Sequence, residues 1–170
     1  PDAGGHRIGQ VWVPLFLLAT HLTQLWSLYG KGGVRISKEM SWTARASSVA
    51  CYLLMVLWLA QGDFRLDDWA FTLTLTISHL LAARRFPKEE IPAVIGAGFA
   101  VLAYIGWSPY IFDYATGTEL DRQNEMILIG FLFGGVLTLG GYWFEQGARH
   151  PARWAAVSVL GGAFIFGGAY

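Results

Sequence analysis

Two histidines lie deep inside apolar stretches of the chain: His21, ten residues past Val11, and His79, ten residues past Trp69. At about 1.5 Å of rise per residue, each imidazole falls roughly 15 Å into its helix. Imidazole is the side chain whose ordinary titration spans neutral pH, and a titratable group inside a membrane is a functional candidate by default. Hydrogen-bonding residues accompany both at helical spacing. Gln24 is three residues from His21, and Thr72, Thr76 and His79 fall at i, i+4 and i+7, on one helix face. His21, Gln24, Thr72, Thr76 and His79 therefore form a candidate solute or proton site. Three roles fit the histidines: proton relay or gating, ligation of a haem b iron from both sides, or a structural pairing of each neutral ring with Thr76 or Gln24. No cofactor is otherwise expected, and no metal.

Other polar groups have plainer readings. Thr20, Thr23, Ser47, Ser48, Thr74 and Ser78 can close onto carbonyls of their own helices or join helices together. Lys88-Glu89-Glu90 reads as a solvated turn. Asp67-Asp68 reads as an exterior loop favouring the start of a helix, with cation binding by Asp63, Asp67 and Asp68 as the alternative. Cys51 is the one cysteine, so neither an internal disulfide nor a thiolate metal cage can form. There is no H-E-x-x-H, no G-x-S-x-G and no phosphate-cradling glycine loop, so no enzyme is expected.

The elements that must hold these residues are membrane helices. Of 170 residues, 54% are hydrophobic, 15% aromatic and 14% charged, with a mean hydropathy of +0.42. A soluble domain carries about a quarter charged residues. Lys+Arg and Asp+Glu are both 12, which gives no basic face for nucleic acid. Six apolar runs approach the roughly 17–25 residues a span needs: Val11–Tyr29, Ala44–Ala60, Trp69–Ala83, Ile91–Pro109, Met126–Phe144 and Trp154–Tyr170. The expectation is an all-α integral membrane protein with six transmembrane helices. Alternating sides then place Lys31, Arg35, Lys38, Arg45, Arg84, Arg85, Lys88, Arg149 and Arg153 together, against Arg7, Arg65 and Arg122. The richer side faces the cytoplasm or its equivalent, which puts both termini on the exterior side. Pro1 without a preceding Met is compatible with a processed or trimmed product.

A repeat divides the chain. Trp58-Leu59-Ala60-Gln61-Gly62, followed by Trp69-Ala70, returns 85 residues later as Trp143-Phe144-Glu145-Gln146-Gly147, followed by Trp154-Ala155. Tyr29 and Gly32 meet Tyr114 and Gly117 at the same offset. Trp favours the membrane interface and Gln-Gly a turn, so a simple interfacial hairpin explains the motif as well. If the repeat is real, residues 1–85 and 86–170 are two three-helix units in one membrane domain. An odd span number inverts the second, as in many transporters. Thr23-Gln24-Leu25-Trp26, the basic loop with Ser37, and Trp58-Leu59-Ala60-Gln61-Gly62 resemble the triple-helix unit of the PQ-loop superfamily, which includes the SWEET carriers. The resemblance spans about Thr23 to Arg85 and implies a carrier. It departs at Thr23 in place of Pro, at Gln61 in place of Tyr, and in lacking the substrate-binding Asn on Trp69–Ala83.

The second half is rich in glycine. Gly130 and Gly134 form a G-x-x-x-G pair, expected to pack the fifth and sixth spans against each other or against a neighbouring subunit, with flexible gating as the rival reading. Passage of a small solute or ion through a channel or carrier, linked to protons through the histidines, is the expected function. The alternative is a non-catalytic or haem-bearing electron-transfer subunit. Expected partners are the lipid bilayer, the small solute or ion, and further copies of the chain or a larger membrane complex; nucleic acid is not among them.

Overall fold

A computed structural model describes residues 3–29, 38–61, 64–112, 120–146, 148 and 150–167. These residues form six α-helices and no strand: α1 (Ala3–Tyr29), α2 (Lys38–Gln61), α3 (Leu66–Arg85), α4 (Glu90–Phe112), α5 (Leu120–Glu145) and α6 (Pro151–Gly167). Each contains one of the six apolar runs, apart from the run ends at 168–170, which lie outside the described residues. Residues 30–37, 62–63, 113–119, 147 and 149 lie outside them too, and with them Lys31, Gly32, Arg35, Asp63, Gly117 and Arg149.

Local chemistry sets the helix ends. Asp67 and Asp68 occupy the first turn of α3 and Arg84 and Arg85 its last, each sign matched to the helix dipole. Pro87 bars a helical conformation at the residue before it, and Phe86 is accordingly extended at φ −130 and ψ 100. A single 3-10 turn, Pro87–Glu89, then leads into α4. Pro151 opens α6 at the first helical position, where its missing N–H has no bond to lose.

α1, α2 and α3 pack mutually, as do α4, α5 and α6, and α2–α4, α3–α4 and α3–α5 contacts join these two triplets at least as extensively as α1, α2 and α3 are joined to one another. α4 thus touches four other helices. Its buried stripe of Ala93, Ala97, Ala100 and Ala103 permits this, because small residues let helix backbones approach closely. The α5–α6 seam follows the same rule. A Cβ on Gly134 would lie 3.1 Å from the Gly161 carbonyl oxygen, and one on Gly130 would lie 3.1 Å from that of Phe164. Gly130 and Gly134 are packing positions within the chain.

The outer surface is apolar. Trp12, Phe16, Trp26, Phe131, Leu139, Trp143, Val159 and Phe166 are all exposed, the reverse of a soluble protein's arrangement. Trp42–Gln61, Pro87–Trp107 and Gln123–Glu145 are long and apolar enough to cross a bilayer, and the chain is an integral membrane protein. The apolar part of α6, Pro151–Phe166, is shorter. α3 is long enough but too polar to stand among them, for a reason visible in the packing. Its stripe of Asp68, Trp69, Thr72, Thr76 and His79 is turned inward and buried by its neighbours.

The Lys88-Glu89-Glu90 string is not the solvated turn that its charges suggest. Glu89 and Glu90 are buried, and each accepts a bond from an arginine of another helix. Arg45 Nε reaches Glu89 Oε1 at 3.1 Å, and Arg153 Nη1 reaches Glu90 Oε2 at 3.0 Å. The two pairs tie α2 and α6 to the α3–α4 corner. Only Lys88 of the three remains exposed.

Candidate functional site

His21 extends the buried stripe of α1 that runs through Pro14 and Leu17, while His79 continues that of α3. The two helices bring the imidazoles face to face, with ring centroids 3.8 Å apart and planes 12° from parallel. His21 is 0% exposed and His79 3%. His79 Nδ1 lies 2.9 Å from the Leu75 carbonyl oxygen, so in the neutral ring it carries the proton and leaves Nε2 as an acceptor. That Nε2 and both nitrogens of His21 have no hydrogen-bond partner among the described residues. Leaving a buried polar group unpaired costs about 1–3 kcal/mol. Three such atoms gathered at one stacked pair mark a place that can accept a proton or a water molecule.

Tyr52 completes the site and was not among the residues expected there. Its ring meets His79 edge-on, with centroids 5.2 Å apart and planes at 66°. Its hydroxyl hydrogen-bonds Thr76 Oγ1. Behind it, α4 offers Gly96, whose missing side chain leaves room for the Tyr52 ring. The available signal was the spacing of Ser48, Tyr52, Met55 and Leu59, a stripe at i, i+4, i+7 and i+11 that is buried along its whole length.

The other expected members divide. Thr76 Oγ1 donates to the Thr72 carbonyl oxygen at 2.8 Å, and Thr72 Oγ1 to that of Asp68 at 2.9 Å. These threonines close onto their own helix, with Thr76 also linking to Tyr52. Gln24 turns away from the imidazoles. Its Nε2 donates to Ser47 Oγ at 2.5 Å and its Oε1 accepts from Ser48 Oγ at 3.2 Å, fastening α1 to α2. Neither Thr76 nor Gln24 bonds a histidine. Thr20, Thr23, Thr74 and Ser78 likewise bond carbonyls of their own helices.

Ten residues before His79, Trp69 anchors an aromatic cluster. It lies 5.3 Å from Phe133 and 5.7 Å from Trp107, ring centre to ring centre. At this end of α3, ahead of its apolar run, Asp68 is buried and accepts from Trp58 Nε1 at 3.2 Å. Burial pushes its carboxyl above the usual range and the charge of Asp67 adds to this, while the Trp58 bond and Arg65 oppose it. Asp67 is exposed and pairs with Arg65 at 3.2 Å. Among the described residues, no three His, Cys, Asp or Glu side chains are grouped to hold a metal ion. Cavities of about 380, 520 and 230 Å³ lie elsewhere, and none of these three is lined by His21 or His79.

No protein-family model, curated protein or solved structure matches this chain. The PQ-loop resemblance accordingly rests on its motif residues alone.

Proposed function

We propose that this chain is a proton-linked membrane channel or carrier for a small solute or ion, with the His21–His79 pair as its proton-handling site. One observation carries the reading: two stacked, buried imidazoles present three ring nitrogens without hydrogen-bond partners among the described residues. Polar groups in hydrocarbon normally satisfy one another, and ionisable ones mark ion and proton pathways. His79 Nε2 is the open acceptor, Nδ1 being engaged with Leu75. Tyr52, fixed by its bond to Thr76, meets the His79 ring edge-on from the α2 side.

In this reading all six helices cross the bilayer. α3 does so because its polar stripe faces protein, and α6 with 17 residues because about 1.5 Å per residue gives it roughly 25 Å. The two triplets are the repeat units, the second inserted in the opposite sense, with both termini exterior. The shared register of the repeat supports this, since Trp69 and Trp154 both stand at the fourth residue of their helices. The haem alternative finds no support in the geometry. Axial ligands grip an iron from opposite sides of a macrocycle, whereas here the two ring faces are in contact.

The test is flux in proteoliposomes under an imposed pH gradient, with a small-solute extract supplied outside and internal pH read by a dye. The expected result is proton movement that His21→Gln and His79→Gln each reduce at least about tenfold, a typical loss for removing a proton-transfer group. Equal proton movement in wild type and both folded variants would refute the reading.

A further inference from the structure

The 380 Å³ cavity lies between α2 and α4, at the end of the bundle where α6 begins. Its rim is basic, formed by Arg45, Lys88, His150 and Arg153. Arg45 and Arg153 are already bonded to the buried carboxylates of Glu89 and Glu90, which fixes both guanidinium groups at the rim. Lys88 adds a further, exposed positive charge. Arg45, Arg153 and Lys88 set three cations over the two carboxylates, and the excess is positive.

Below the rim the wall turns apolar, with Ala46 and Val49 from α2 facing Ile91 and Ile95 from α4. Trp42 flanks the boundary between the two zones, at the headgroup level that indole prefers. A positive rim above an apolar groove matches a molecule with an anionic head and a hydrocarbon tail. Basic pockets between membrane helices bind anionic lipid headgroups on this principle, and arginine suits phosphate oxygens in particular.

We infer that this cavity binds one anionic phospholipid, its phosphate at Lys88, Arg45 and Arg153 and one acyl chain along Val49, Ile91 and Ile95. The site does not depend on the histidine pair, so it stands or falls separately from the transport reading.

The experiment is native mass spectrometry of purified protein in detergent containing phosphatidylglycerol or phosphatidylcholine of the same acyl chains. Wild type is expected to retain one phosphatidylglycerol and to release phosphatidylcholine. Lys88→Gln keeps both arginine–glutamate pairs and is expected to weaken retention about fivefold, and Lys88→Glu about twenty-five-fold, at about 1 kcal/mol per charge. Val49→Trp fills the groove without altering any charge and is expected to abolish retention. Equal retention of the two lipids overturns the proposal, as does retention unchanged in Lys88→Glu or in Val49→Trp. So does displacement of the bound lipid by inorganic phosphate at matched concentration, which would show a simple anion site.

Discussion

Gly96 of α4 faces the Tyr52 ring so closely that a Cβ there would lie 2.7 Å from both Cδ2 and Cε2. Gly96→Ala must therefore push Tyr52 toward His79 or out of its bond with Thr76. Overpacking of this kind costs about 1–3 kcal/mol. Gly98, two residues on, has nothing within 4 Å of a Cβ, and Gly98→Ala is expected to be neutral or stabilising by up to about 1 kcal/mol. Thermal unfolding of both variants in detergent checks the contrast. Equal stability would mean that Tyr52 is not wedged as described.

The Arg45–Glu89 pair makes a second prediction. Its side chains are 14% and 2% exposed, so removing one partner strands a buried charge. Glu89→Ala is expected to destabilise by about 3–5 kcal/mol, whereas Arg45→Met combined with Glu89→Met is expected to be nearly neutral. Denaturant unfolding in micelles reads both. A double variant as unstable as the single one would contradict this.

Asp68 sets the sign of a pH effect. Its folded carboxyl lies above the usual range, so between the unfolded and folded values the native state binds more protons. Stability from this group is present at low pH and is lost as pH rises through the folded value. Asp68→Asn keeps an oxygen for the Trp58 N–H and removes the charge. The variant is expected to unfold at higher temperature than wild type at neutral pH and to converge with it in acid. Parallel curves across the whole range would count against a raised Asp68.

Topology is tested by single cysteines in a Cys51→Ala background. Gln61, at the end of α2, and Lys88, in the turn before α4, are both exposed and lie at opposite ends of α3. Gln61→Cys is expected to label from outside and Lys88→Cys from inside. Labelling of both from one side would remove the alternation on which the orientation rests.

The positions of the helices were legible in the sequence because membrane spans are written in local apolar runs. The position of His21 and His79 ten residues into their apolar runs was legible too, though not the stacking of the two rings. Which groups satisfy one another was not. Gln24 shares a face with His21, yet Ser47 and Ser48 on α2 draw it away. Glu89 and Glu90 looked solvated because Arg45 and Arg153, which bury them, are 44 and 63 residues distant. Tyr52 was hidden among apolar neighbours, its hydroxyl carried on an aromatic ring that reads as core.

The claim that His21 and His79 form a proton site is tested most directly by nitrogen-15 NMR of histidine-labelled protein in lipid bilayers, with bulk pH stepped from alkaline to acid. The account predicts that the pair takes up one proton per chain while the protein stays folded, seen as an imidazolium signal. His21→Gln and His79→Gln should each remove or shift that signal, and Gly96→Ala should displace it through Tyr52. Two rings that remain neutral until the protein unfolds, or an imidazolium signal unchanged in both glutamine variants, would contradict it.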